Sequence, residues 1–146
     1  FSVGAIIAII HDVIITLGLF SVLSYEINLS IVAAVLTIVG YSMNDTVVIF
    51  DRIRENLKKY TKISISDISN TSTKETLSRT LITSVTTLLA LFSIYIFGGA
   101  ILKGFSFAMI VGVIIGTYSS IFVATPILNY TKVSHKTVLK DNAEIN

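Results

Sequence analysis

The 146-residue chain is 53% hydrophobic and only 14% charged, with a mean hydropathy of +0.82, a net charge of +2 and no cysteine. Its charges are bunched: three in residues 1–50 (Asp12, Glu26, Asp45), eleven in 51–80, one (Lys103) in 81–131 and five in 132–146. An ordinary soluble domain is about one quarter charged throughout, so two long stretches almost free of charge exclude a soluble globule and a disordered chain and identify an integral membrane protein.

Long unbroken apolar runs also exclude a transmembrane β-barrel, and the lack of cysteine excludes disulfides, thiol catalysis and cysteine-based metal centres. The first run, residues 3–23, follows neither a Met nor a basic segment, so it reads as a membrane helix of a longer chain rather than a signal peptide. His11-Asp12 stands at its middle, and a polar turn over 25–30 closes it. The second run, 31–50, carries Asn44-Asp45 and continues as an amphipathic helix past the membrane surface from Asp51. Residues 61–72 are rich in Ser, Thr and Asn and read as a flexible connector. Ser72 and Glu75 have capping-box spacing, which starts the third helix near Thr73 and lets the 17-residue apolar run 81–97 span; Gly98-Gly99 ends it. The fourth run, 105–128, has Pro126 in its last turn. Crossing a core of about 30 Å at about 1.5 Å per residue takes roughly 20 residues, so the expected fold is an all-α bundle of four transmembrane helices at 3–23, 31–50, 73–98 and 105–128. These make one transmembrane domain, 1–130, with a charged loop 51–78 and a tail 131–146.

Orientation follows from Lys and Arg. Arg52, Arg54, Lys58, Lys59, Lys62, Lys74 and Arg79 lie between the second and third runs, and Lys132, Lys136 and Lys140 in the tail; the opposite loops hold only Lys103. The loop and C-terminus are therefore expected to be cytoplasmic. Basic residues placed by topology give no reason to expect nucleic acid as a partner.

Charges inside a membrane cost about 2.5–3.5 kcal/mol each on insertion scales, so each needs a reason. Asp45 shares a helical face with Thr37, Tyr41, Ser42 and Ile49 and is flanked by Asn44 and Thr46, a face too polar for lipid. It reads either as half of a fixed ion pair, with Arg52 at i+7, or as a protonatable carboxylate on a proton path. Arg79, on the following antiparallel helix, is its natural partner, or else an interfacial anchor. His11 and Asp12 point about 100° apart on a helix and are not expected to pair with one another. Each is packing glue, or Asp12 is a second station in a relay. Two histidines, His11 and His135, give no basis for a metal site, and no cofactor is expected. Ala108, Gly112, Gly116 and Ser120 recur every fourth residue and mark a close-packing face, with Gly4 and Ala8 a weaker instance. No nucleophile–base pair or phosphate loop is present, so the chain does not read as an enzyme; the chemistry on offer is proton binding.

The run Gly40-Tyr41-Ser42-Met43-Asn44-Asp45-Thr46, followed by Asp51-Arg52-Ile53-Arg54-Glu55, resembles the signature of the SecF family of protein-export membrane proteins. Residues 4–18 around His11-Asp12, 77–91 around Arg79 and 115–126 up to Pro126 agree in order and spacing, so the resemblance covers about 3–128. It implies the last four helices of a six-helix subunit that works with SecD beside the SecYEG channel in the bacterial inner membrane. It also implies kinship with resistance–nodulation–division exporters and use of the proton gradient to draw unfolded secretory chains across. YajC, YidC and membrane lipid are further implied contacts. The family's functional Asp and Arg match Asp45 and Arg79, and its His-Asp pair matches His11 and Asp12. The first two helices and the periplasmic domain between them have no counterpart here. A proton-driven small-molecule exporter and a non-transporting membrane scaffold are the alternative readings, and proton or sodium coupling stays open.

Overall fold

The computed structural model describes residues 2–24, 26–60 and 62–130, all in or between helices. Helices α1 (Ser2–Val22), α2 (Leu29–Lys59), α3 (Ile65–Phe97) and α4 (Gly99–Ser119) are followed by a π-helical turn, Ser120–Ala124, and a short α5 (Thr125–Tyr130). Four helical stretches are long and apolar enough to cross a membrane, the fourth running from Gly99 through the π turn to Leu128. In hydrocarbon each backbone polar group has to be satisfied within the segment, and a helix does this even for runs as rich in isoleucine as α1.

The bundle exposes large apolar side chains on its outside, as a soluble one does not. Three helices turn small or polar residues inward at about every fourth position: Gly4, Ala8, Asp12 and Thr16 on α1, Ser72, Thr76, Thr80 and Ser84 on α3, and Ala108, Gly112 and Gly116 on α4, while α2 also buries Ile31, Ile38, Ile49 and Ile53. Large apolar side chains such as Ile14, Leu36, Ile82, Leu89, Ile96 and Phe122 point outward and are exposed. Lipid is as apolar as these side chains, so burying them gains little, whereas small residues let backbones approach and pack.

α2 is the hub, packing on α4, α3 and α1, while α4 also touches α1 and α3. Two apolar clusters hold the ends. Ala8, Ile49, Ile53, Leu57, Ile68 and Leu128 pack at the charged end. Phe20, Ile31, Ile38, Leu91, Ala108 and Val113 pack at the other, where the Phe20 and Phe107 rings meet edge to face at 5.8 Å. A polar layer lies between them.

Helix ends differ from the sequence expectation in three places. The third helix starts at Ile65, not Thr73. Its N-cap is Ser64, whose Oγ accepts from the Asp67 backbone N–H at 3.2 Å and donates to the Asp67 carboxylate at 2.7 Å. The stretch expected as a flexible connector is therefore mostly helix, and Ser72 is buried inside it. Its hydroxyl donates to the Ile68 carbonyl, as Thr73 does to Ser69 and Thr76 to Ser72, so hydroxyls that favour turns in water bond backward along the helix instead. α2 likewise runs on to Lys59, as its amphipathic start implied. The loop expected over 51–78 is thus a helical hairpin with a short link. Asn56 closes it, donating to Ser72 Oγ at 2.9 Å and Glu75 Oε2 at 2.8 Å, while Arg52 donates to Glu75 and Glu55 at 2.7 Å each.

At the other end Gly98 caps α3, and Gly99, with φ of +74°, turns the chain directly into α4. The fourth helix therefore starts six residues before the apolar run expected at 105. Pro126 does fall in the last turn of the fourth span, which ends at Leu128, but a π turn precedes it. With no N–H to donate, it interrupts the ladder, and the register slips to π over Ser120–Ala124, where Thr125 Oγ1 reaches back five residues to the Ser120 carbonyl at 3.2 Å. The Lys132, Lys136 and Lys140 side of the topology argument, and His135, lie outside the described residues.

Candidate functional site: a polar layer inside the bundle

Asp12 is the best-connected group in the layer. Its side chain is 1% exposed; Oδ2 accepts from Ser42 Oγ and from Ser119 Oγ, the latter at 2.8 Å, and Oδ1 lies 3.0 Å from His11 Nδ1. It thereby ties α1 to α2 and α4. Gly116 makes room, since a Cβ there would stand 3.3 Å from Ser42 Cβ and 3.7 Å from Asp12 Oδ2. One turn on, Thr16 Oγ1 donates to the Asp12 carbonyl at 2.7 Å. The expectation that His11 and Asp12 would not pair is corrected here. The Cα–Cβ bonds do diverge, but the imidazole is long enough to swing across one residue. It keeps its outer edge at the bundle surface, its side chain 30% exposed.

Further hydroxyl pairs knit the same layer. Thr46 Oγ1 and Ser120 Oγ meet at 3.1 Å between α2 and the π turn, and Ser84 Oγ and Thr117 Oγ1 at 2.7 Å between α3 and α4. Tyr41 donates its hydroxyl to Ser84 at 3.3 Å, so three helices share that bond set. Ser119, Ser84 and Thr117 had no place in the sequence reading. The signal was present in the fourfold spacing of hydroxyls along α3 and in the doubled Ser119-Ser120.

Asp45 presents the opposite case. It is 4% exposed on the inner face of α2, and its Oδ2 is buried without a hydrogen-bond partner. Arg52, one candidate counter-ion, is committed to Glu55 and Glu75 instead. Arg79, the other, exerts its charge on Asp45 from α3 without forming an ion pair with it. Its exposed side chain lines a cavity of about 300 Å³ at the charged end, with Val48, Asp51, Arg52, Glu55, Glu75 and Thr76. Ser42 and Ile49 share the buried face of Asp45, Tyr41 is half-buried, and Thr37 and Asn44 point outward. Asn44 is therefore not brought into the layer. Ala108, Gly112, Gly116 and Ser120 are all buried along α4 and its π turn. A Cβ on Gly112 would collide with Ile38 of α2.

The chain matches the model of the family described as protein export membrane protein SecD/SecF, C-terminal, over residues 1–134. Curated relatives include the protein translocase subunit SecF of Rhodothermus marinus, 58% identical over 134 residues, covering 88% of this chain and 44% of the relative. That of Koribacter versatilis is 55% identical over 128 residues, covering 88% of this chain and 32% of the relative. The chain thus spans less than half the length of these relatives. Among solved structures, the crystal structure of SecDF, a translocon-associated membrane protein from Thermus thermophilus, superposes with a TM-score of 0.87 at 45% identity, covering 90% of this chain and 18% of that one. A second SecDF crystal structure, in a super-membrane-facing form, gives 0.85 at 41% identity over 97% of this chain and 19% of that one. A four-span bundle with this polar layer, matched along nearly its whole length, belongs to the SecD/SecF family of multi-pass protein-export membrane proteins.

Proposed function

We propose that the longer protein containing this chain is an auxiliary subunit of the Sec translocation machinery in the bacterial inner membrane. With SecD, and beside the SecYEG channel, it uses the proton motive force to promote export of unfolded secretory polypeptides; YajC and YidC are further associates in this reading. One observation carries the gradient-driven part of the reading. Asp45 is a buried carboxylate with an oxygen left unpartnered, facing a cation that does not clamp it. A carboxylate kept only for structure would be fully bonded, because a buried unsatisfied acceptor costs free energy. An incompletely bonded one is suited to exchange a proton when its neighbour moves. The family match and the SecF relatives support the export role.

The test uses inverted membrane vesicles with and without the full-length protein, following late translocation of a secretory precursor. A proton gradient should accelerate completion only where the protein is present. Equal gradient stimulation in both vesicle types would overturn the reading.

The charged end is proposed to be cytoplasmic. Exposed positions at the two ends allow a direct check. A cysteine replacing Ser66 should react with a membrane-impermeant thiol reagent only from the cytoplasmic side, and one replacing Glu26 only from outside. The reverse pattern would invert the bundle.

A further inference from the structure

We propose that His11 and Asp12 form a second proton-binding site, a dyad that holds one proton in mid-membrane separately from Asp45. Asp12 is wholly buried, accepts from Ser42 and Ser119 and has His11 Nδ1 at 3.0 Å, so its carboxyl faces polar atoms on three sides. Hydroxyls of Ser42 and Ser119 supply dipoles but no charge. In low dielectric a carboxylate is neutralised rather than left bare.

The ionisable groups around it are few. On α1 there is His11. On α2 there are Asp45, three residues from Ser42, and Tyr41, whose hydroxyl is engaged with Ser84. The facing part of α4 and the π turn offers Gly112, Gly116, Ser119 and Ser120, none of them ionisable. α3 packs on α2 and α4, and its Arg79 acts on Asp45. Among the described residues His11 is thus the group in contact that can bring a positive charge. With its neutral-form proton on Nδ1, facing Asp12 Oδ1 at 3.0 Å, the ring has the Nε2 lone pair to take a second proton from its exposed side. Loaded, the dyad is a neutral imidazolium–carboxylate pair; unloaded, it is a buried anion.

The geometry also gives the proton a consequence. Asp12 joins α1 to Ser42 on α2 and to Ser119, the last residue before the π turn. Loading or unloading the dyad therefore changes how tightly α1 is held against both. Ser42 lies one turn from Asp45 along α2, so occupancy of either site biases the other.

The experiment is pH-difference infrared spectroscopy on the full-length protein with its SecD partner in lipid nanodiscs. An Asp45→Asn background removes the export site's own titration, so the outcome is independent of the proposed function. A one-proton transition with imidazole and carboxylate bands moving together is expected. It should vanish completely in both His11→Gln and Asp12→Asn, each of which keeps a side chain able to hydrogen-bond. Persistence of the transition in either variant, or its absence from the parent, would overturn the dyad, as would a signal that tracks sodium concentration at fixed pH. If Asp12→Asn does not assemble, His11→Gln alone decides: loss of the transition supports the dyad and persistence refutes it.

Discussion

Gly112→Leu in the full-length protein should destabilise the bundle severely, and even Gly112→Ala should be felt. A Cβ at this position would overlap Ile38 Cδ1 and Cγ1 and stand 2.9 Å from Cγ2, against an optimal carbon–carbon separation of about 3.5–4.0 Å. Ile38 is 1% exposed and is packed among Phe20, Ala34, Ala108 and Val113, so it has no free volume to enter. Overpacking of this kind costs roughly 1–3 kcal/mol for small intrusions, and three further carbons push α4 off α2. Gly104→Ala, on the same helix but with nothing within 4 Å of the added carbon, should be neutral or slightly stabilising through helix propensity. Thermal unfolding in detergent, read alongside the yield of intact protein, separates the two. Ile38→Ala combined with Gly112→Ala should recover part of the loss. An unchanged midpoint for Gly112→Leu would show that α2 and α4 are not pressed together here.

The membrane solvent explains why the spans were easy to read and their ends were not. Four apolar runs demand helices because no other open structure satisfies the backbone in hydrocarbon, and that logic needs no tertiary information. Outside the apolar core the same reasoning loses its grip. Ser64 and Ser72 both stand three residues before an acidic side chain, Asp67 and Glu75, so capping-box spacing cannot choose between them. Packing chooses: Ile68 is 2% exposed in the cluster with Ile53 and Leu57, and Ser72 is covered by Asn56. Those contacts extend the helix by two turns through residues whose composition resembles a linker.

The site shows the same division. Asp45 stood out because an acid in an apolar run is costly wherever it points, and its inner face could be read from the spacing of Ser42 and Ile49. The partners of Asp12 could not be read this way. Ser119 lies 107 residues away, on a helix whose register next to it is reset by the π turn. One-helix geometry also gave the wrong answer for His11 and Asp12, because the angle between adjacent Cα–Cβ bonds says little about where a long imidazole ends up. Asn44 erred in the other direction: polar and adjacent to the acid, it nonetheless faces outward.

Asp45→Asn should abolish gradient-dependent stimulation of export while leaving the protein folded and assembled, and Arg79→Met should do the same. Moving one charge through 100 mV is worth about 2.3 kcal/mol, enough to bias a conformational equilibrium roughly 50-fold. That energy is usable only if protonation changes which helix arrangement is preferred. In the proposed switch an ionised Asp45 draws the Arg79-bearing α3 toward α2, and a protonated one releases it. Asparagine mimics the released form permanently. Folding should survive because Asp45 Oδ2 has no hydrogen bond to lose. Arg79 is exposed and makes no ion pair among the described residues, so methionine removes its charge without opening a cavity. Apolar clusters above and below the layer, and the Asp12 bonds, remain intact in both variants. Late translocation into inverted vesicles, with and without a gradient at matched expression, is the measurement. A scaffold whose charges only fix helix register would keep its full gradient response with either substitution, and that result would sink the switch. Loss of the response in both, with SecD still co-purifying, would locate the coupling step at the α2–α3 interface. Glu75 and Arg52 are already locked together in the lining of the adjoining cavity, whereas Arg79, whose charge acts on Asp45, is held in no ion pair among the described residues and can follow it.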